Sequence, residues 1–162
     1  MGYTLAIDPG TTESAWCLID STTLQPVRFA KESNYDVIEH LGEMYMSTDQ
    51  NCIEMLACYG MPVGQEVLDT CVWVGRFMQY LIDHGVDADN VGLVFRKDEK
   101  MTLCHSMKAT DATITQALVD RFAYGQKNHG KGTKNDPGFF YGFKKDIWQA
   151  YAVGITYLEM RK

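Results

Sequence analysis

Three acidic residues break patterns that packing alone would impose. Asp8 closes the apolar run that begins at Tyr3, on the same side as Thr4 and Ala6. Glu54 interrupts Cys52-Ile53-Glu54-Met55-Leu56, and Asp146 precedes the apolar stretch Ile147-Trp148-Gln149-Ala150-Tyr151. A carboxylate buried without a partner costs roughly several kcal/mol, so each needs a cation, a hydrogen-bond donor or water. Singly, each has a plain explanation: an Asx turn at Asp8, a solvent-facing edge strand at Glu54, a helix N-cap at Asp146. Together, two strand acids and one helix acid would converge on hard divalent cations that take oxygen ligands. Two such ions about 4 Å apart can activate water and stabilise the leaving oxygen of a phosphodiester.

The elements that must position these acids follow from periodicity. Tyr3 to Asp8 reads as a central strand with apolar residues on both faces. Pro9-Gly10 turns the chain into a second strand from Ser14 to Asp20, and a third spans about Pro26 to Lys31, an antiparallel meander. Val37, Ile38, Leu41, Met44 and Tyr45 recur at helical spacing over 35–47, with Asn34 as the expected cap. Asn51 to Cys58 is a further strand. The strongest helix is 65–84, striped by Val67, Cys71, Val74, Met78 and Leu81 and stopped by Gly85. Val91 to Phe95 is the last strand, followed by helices near 110–123 and from about 145 onward. The order predicts an α/β fold around a mixed five-stranded sheet flanked by helices, one domain over 1–162.

Composition agrees with a single folded unit. The 162 residues are 46% hydrophobic and 12% aromatic, which supplies a core and excludes wholesale disorder. No apolar run approaches the roughly 18 residues of a membrane span, and the expected location is the cytoplasm. Cys17, Cys52, Cys58, Cys71 and Cys104 contain no CxxC pair and read as reduced core residues. The net charge of −6 is unevenly spread. Residues 1–95 carry three basic and fourteen acidic side chains, whereas 96–162 carry twelve basic and seven acidic. The densest basic stretch, 125–145, sets Lys127, Lys131, Lys134, Lys144 and Lys145 among glycines, with Asp136 its one acid. Glycines let a backbone approach phosphates closely and lysines neutralise them; a solvated loop would read the same way.

Ile7-Asp8-Pro9-Gly10-Thr11 with Ser14-Ala15-Trp16 resembles the first motif of RuvC-type Holliday junction resolvases. Glu54 on a strand, followed by the helix bearing Val74-Gly75-Arg76-Phe77, is similar to the second motif. Leu103-Cys104-His105-Ser106, then Ala109 to Ile114 and Gln116-Ala117-Leu118, resemble the region before the last active-site helix in phage-encoded members. Asp146-Ile147-Trp148-Gln149-Ala150 matches the Asp-x-x-Asp-Ala pattern except at its second acid, where Gln149 stands. The resemblance implies a ribonuclease H-like fold and a homodimeric, magnesium-dependent endonuclease that nicks four-way DNA junctions in pairs. Its setting would be a bacterial or phage-infected host cytoplasm. Carried across, Asp8, Glu54 and Asp146 are the catalytic and metal-binding acids. Two Mg2+ per site are expected, with Mn2+ as a substitute, and Gln149 is a candidate carbonyl ligand. Asp111 and Asp136 are the acids nearest in sequence that could replace the missing one. The resemblance also asks for lysines at the scissile phosphate, for which Lys100, Lys108 and Lys145 are candidates. Where some relatives place a stacking aromatic, this chain has Ala57, and Tyr59 could stack or wedge instead.

Two other functions fit parts of the pattern. Asp8-Pro9-Gly10-Thr11-Thr12 also resembles the phosphate turn of actin-like kinases and ATPases, which close two lobes on ATP; this length supplies one. A branched-DNA-binding module without cleavage is the reading that Gln149 motivates.

Overall fold

The computed structural model describes residues 2–162. Its elements are β1 (Tyr3–Asp8), β2 (Glu13–Asp20), β3 (Pro26–Ser33), α1 (Asn34–Met44), β4 (Thr48–Met55), α2 (Gln65–Asp83), β5 (Val91–Phe95), α3 (Arg96–Cys104), α4 (Asp111–Phe122) and α5 (Ile147–Met160). The sheet order is β3-β2-β1-β4-β5. The first three strands form the antiparallel meander, while β4 runs parallel to β1 and β5 parallel to β4. This is the mixed five-stranded sheet with flanking helices that the periodicity predicts. No helix among the described residues is long and apolar enough to cross a membrane.

Three details differ from the expectation. A helix, α3, follows β5 directly; its sequence is charged and carries no apolar stripe, so periodicity misses it. Strand β4 begins at Thr48 and ends at Met55 rather than spanning Asn51 to Cys58. Ser33, not Asn34, caps α1, accepting from the Asp36 amide at 3.2 Å. Asn34 turns inward instead. Its Oδ1 accepts from Ser14 Oγ at 2.5 Å and its Nδ2 donates to the Gly10 carbonyl at 3.0 Å, while the Gly10 amide donates to Ser14 Oγ at 3.0 Å. This buried network pins the β1–β2 turn immediately after Asp8.

The sheet separates two cores by strand alternation. Leu5, Ile7, Trp16, Leu18 and Ile53 face α1 and α2, with Val37, Leu41, Phe77 and Leu81. Ala6, Cys17, Ile19, Cys52 and Val94 face α5, with Ile114, Leu118 and Val153. Helix α5 is buried from Ile147 to Tyr157 except at half-buried Gln149, as a helix enclosed by sheet and helices must be. Gly154 has no room for a Cβ against Ile19 and Ala6, so the helix rides close on the strands. Cys17 and Cys52 are core residues as expected; Cys58 is exposed, Cys71 and Cys104 are half-buried, and all five are free.

Stretch 125–145 is no slack loop. Phe140 and Phe143 are buried, packed against Trp148 and Tyr151 of α5 with ring centroids 4.7–5.6 Å apart. The Phe140 amide donates to the Gly130 carbonyl at 2.8 Å and the Gly138 amide to the Lys131 carbonyl at 3.0 Å. The segment is thus bolted to the start of the helix that Asp146 precedes.

Candidate functional site

Strand alternation puts Asp8 on the Ala6 side of β1 and Glu54 on the Cys52 side of β4, which is the α5 face for both. The two strands are parallel neighbours with Ala6 opposite Cys52, so both acids emerge at the same carboxyl end of the sheet. That end is where open α/β sheets place their ligands. Because β5 pairs beyond β4, Glu54 is on an internal strand and not on an edge. The carboxyls of Asp8 and Glu54 lie within hydrogen-bonding reach of each other. Burial, and next the Glu54 charge, push Asp8 well above the usual carboxylate range. Burial also pushes Glu54 up, against the pull of its hydrogen bond with Asp8 and of the Arg96 charge.

Asp146 occupies the N-cap position of α5 but caps nothing. Its Oδ2 accepts from Lys31 Nζ of β3 at 2.5 Å, in an ion pair at the rim of the site. The Asp146 charge is close enough to raise both Asp8 and Glu54, so the three acids share one electrostatic neighbourhood. The hydrogen bond that Lys31 donates to Asp146 in turn raises Lys31. Beside them lies an open groove of about 400 Å³ whose lining includes Gly10, Thr11, Lys31, Glu66 and Asp146.

The sequence pattern does not reveal three further residues. Lys31, on a strand of half-buried residues, is the lysine paired with an acid of the site. Glu99, on the first turn of α3, is fully buried and within hydrogen-bonding reach of Glu54; burial and then the Glu54 charge push it up to about 9. Arg96 donates from Nη1 to Gln149 Oε1 at 2.5 Å and to Glu99 Oε1 at 3.3 Å, and its Nη2 pairs with Asp111. The one available signal was position: Arg96-Lys97-Asp98-Glu99 follows β5 at the same end of the sheet as Glu54.

The remaining expected residues lie elsewhere. Gln149 directs its carbonyl to Arg96. Asp111 is exposed beyond that arginine, and Asp136 lies exposed in a turn with Thr133. Lys108, Lys127, Lys134, Lys144 and Lys145 are exposed, and Lys100 and Lys131 half-buried. Tyr59 is exposed between β4 and α2, with φ 48°.

Hard oxygen donors crowded together at the end of two parallel strands are the donor chemistry that Mg2+ or Mn2+ takes. Among the described residues, no three His, Cys, Asp or Glu side chains enclose an ion as they stand. Asp146, drawn toward Lys31, is the carboxylate left outside the Asp8–Glu54 contact.

No family model matches the chain, and no curated protein matches its sequence. Solved structures do match. Thermus thermophilus RuvC in complex with a Holliday junction substrate aligns with a TM-score of 0.69 at 13% identity, over 99% of this chain and 96% of that one. A second T. thermophilus RuvC structure gives 0.67 at 14% identity, over 98% and 95%. The fold is that of RuvC. The likeness spans both cores and all the elements that carry the acids, so the ribonuclease H-like architecture implied by the motifs is the one the chain adopts. On this RuvC scaffold, the carboxyl ends of β1 and β4 and the start of α5 hold Asp8, Glu54 and Asp146.

Proposed function

We propose that the chain is a divalent-metal-dependent endodeoxyribonuclease that resolves Holliday junctions or other branched DNA by paired nicking. The observation that carries this reading is the crowding of half-buried Asp8 and Glu54 against one another, with Asp146 beside them, at the ligand-binding end of a RuvC fold. Carboxylates in mutual contact destabilise the fold unless protons or cations intervene, and selection for stability alone would not place them there.

In this reading Asp8, Glu54 and Asp146 hold Mg2+, two ions per site, with Mn2+ able to substitute. The bound metal would supply Lewis-acid polarisation of the phosphodiester and charge for its leaving oxygen. Asp146 joins the other acids by exchanging its Lys31 partner, which leaves the Lys31 ammonium beside the groove to offset charge on a phosphate. Lys127, Lys131, Lys134, Lys144 and Lys145 bind DNA backbone from the segment anchored on α5, with Lys100 and Lys108 as further contacts. Tyr59, projecting from the β4–α2 loop, stacks on an unpaired base. Paired nicking calls for two sites, hence a homodimer whose two-fold axis meets that of the junction. Such a protein works in the cytoplasm of a bacterium or of a phage-infected host.

The test is cleavage of a synthetic four-way junction with each strand labelled in turn. Symmetric paired nicks that require Mg2+ or Mn2+ and vanish in Asp8→Asn are expected. An intact junction with well-folded protein, across both metals and from mildly acid to alkaline pH, overturns the reading. One observation favours a second: Gln149 has its carbonyl committed to Arg96. A junction-binding module without scission would bind branched DNA salt-sensitively and leave it whole even with Mn2+.

A further inference from the structure

Glu99 is unusual among the buried polar groups. Its side chain has no solvent exposure. Its Oε1 accepts from Arg96 at 3.3 Å, and its Oε2 has no hydrogen-bond partner. Among the described residues, the other buried side-chain atoms without partners belong to the amides of Gln50 and Asn51 and the hydroxyl of Thr156; Glu99 Oε2 is the one on an ionisable group. The Glu99 carboxyl lies within hydrogen-bonding reach of Glu54, a second carboxylate, itself in contact with Asp8. An unmade hydrogen bond on a buried neutral amide costs about 1–3 kcal/mol, and more on a charged group, so the arrangement calls for a cation or a proton.

The position that the sequence pattern leaves without an acid has meanwhile been put to other use. Gln149 is in the first turn of α5, and its carbonyl oxygen is held by the same guanidinium that holds Glu99 Oε1. Arg96 thereby turns Gln149 aside and fixes Glu99 with one oxygen free. Asp111 on Nη2 completes the clamp from α4.

We propose that Glu99 is a fourth carboxylate ligand of the divalent-cation site, supplied from α3 in place of the acid that Gln149 lacks, with Arg96 as its positioning residue. The proposal rests on the metal-dependent reading above. It moves the missing charge from α5 to the helix following β5. The competing role is purely structural: a protonated Glu99 donating to Glu54, indifferent to metal.

Calorimetric titration of the full chain with MnCl2 separates these, read beside thermal unfolding in EDTA. The unsubstituted protein binds Mn2+ and Asp8→Asn does not. Glu99→Gln, nearly isosteric, unfolds in EDTA no lower than the unsubstituted protein and binds Mn2+ about tenfold or more weakly, at least the loss that follows removal of an outer-shell partner of a metal ligand. Glu99→Met, which fills the same volume without polar atoms, behaves alike. Wild-type affinity in both variants overturns the assignment of Glu99 while leaving the nuclease reading intact. No Mn2+ binding by the unsubstituted chain, or equal binding by Asp8→Asn, overturns that reading and this inference with it. Crystals of the unsubstituted protein soaked in Mn2+ answer without any substitution. Anomalous density in contact with a Glu99 oxygen supports the proposal, and density ligated by Asp8 and Glu54 without Glu99 contradicts it.

Discussion

Two regions of this molecule concentrate charge, and they are built in opposite ways. At the carboxyl end of β1 and β4, Asp8, Glu54 and Glu99 are drawn into the protein and into contact, each pushed above the usual carboxylate range. Over 125–145, Lys127, Lys134, Lys144 and Lys145 stand in solvent and Lys131 is half-buried, while the backbone beneath them is fixed by Phe140 and Phe143. The acids carry strain that only a bound cation or a proton relieves. The lysine side chains carry no such crowding of like charge in a buried site, and each is individually expendable. A site that must bind a small, hard ion concentrates its charge by burial; a surface that must meet a long polyanion spreads it on a rigid support.

Substitutions can break that contrast. The largest effect falls on chemistry: Asp8→Asn reduces junction cleavage to background while raising the unfolding temperature in EDTA at neutral pH, because an amide sits there without the proton or cation that the carboxyl needs. A cleavage assay paired with calorimetry checks both halves. Next comes the support of the basic surface. Phe140→Ala should cost about 3–5 kcal/mol in denaturant unfolding and weaken junction binding although no lysine has changed. The smallest effect is the most graded. Replacing Lys127, Lys131 and Lys134 by Gln, one after another, should lower the slope of log affinity against log salt by about 0.9 for each phosphate no longer neutralised. Cleavage at saturating protein should remain. A collapse of cleavage after the first lysine, or an unchanged slope after all three, erases the distinction between the regions.

The parts of this arrangement legible in the sequence are those where one residue contradicts a strong local pattern. Asp8 and Glu54 stand out because they end or interrupt apolar strands, and Asp146 because it precedes a helix buried over most of its length. The meander, β5 and α2 were likewise readable from alternation, helical stripe and turn residues. Glu99 was not, since Arg96-Lys97-Asp98-Glu99 looks like a solvated charge run. Its burial arises only when α3 packs back against the sheet's end and Arg96 reaches α4 and α5 at once. Lys31 was hidden for a related reason. On β3 nothing marks it, and its partner is 115 residues away. Asn34 shows the same limit in the core: a residue type suited to capping was taken inside to brace the turn after Asp8.

The central claim is that the buried acids form a cation site, and unfolding temperature against pH, with and without Mg2+, tests it most directly. Asp8, Glu54 and Glu99 bind protons more tightly folded than unfolded. Above their ordinary values of 3.8 for Asp and 4.5 for Glu, the folded state therefore holds the extra protons. Stability in EDTA should thus fall as pH rises from about 4.5 toward about 9, the raised value of Glu99. Mg2+ should restore most of the loss at the alkaline end and add little at the acid end, where protons already occupy the carboxylates. A profile in EDTA that is flat across that window, or an unfolding temperature that Mg2+ leaves unmoved at alkaline pH, would contradict the account.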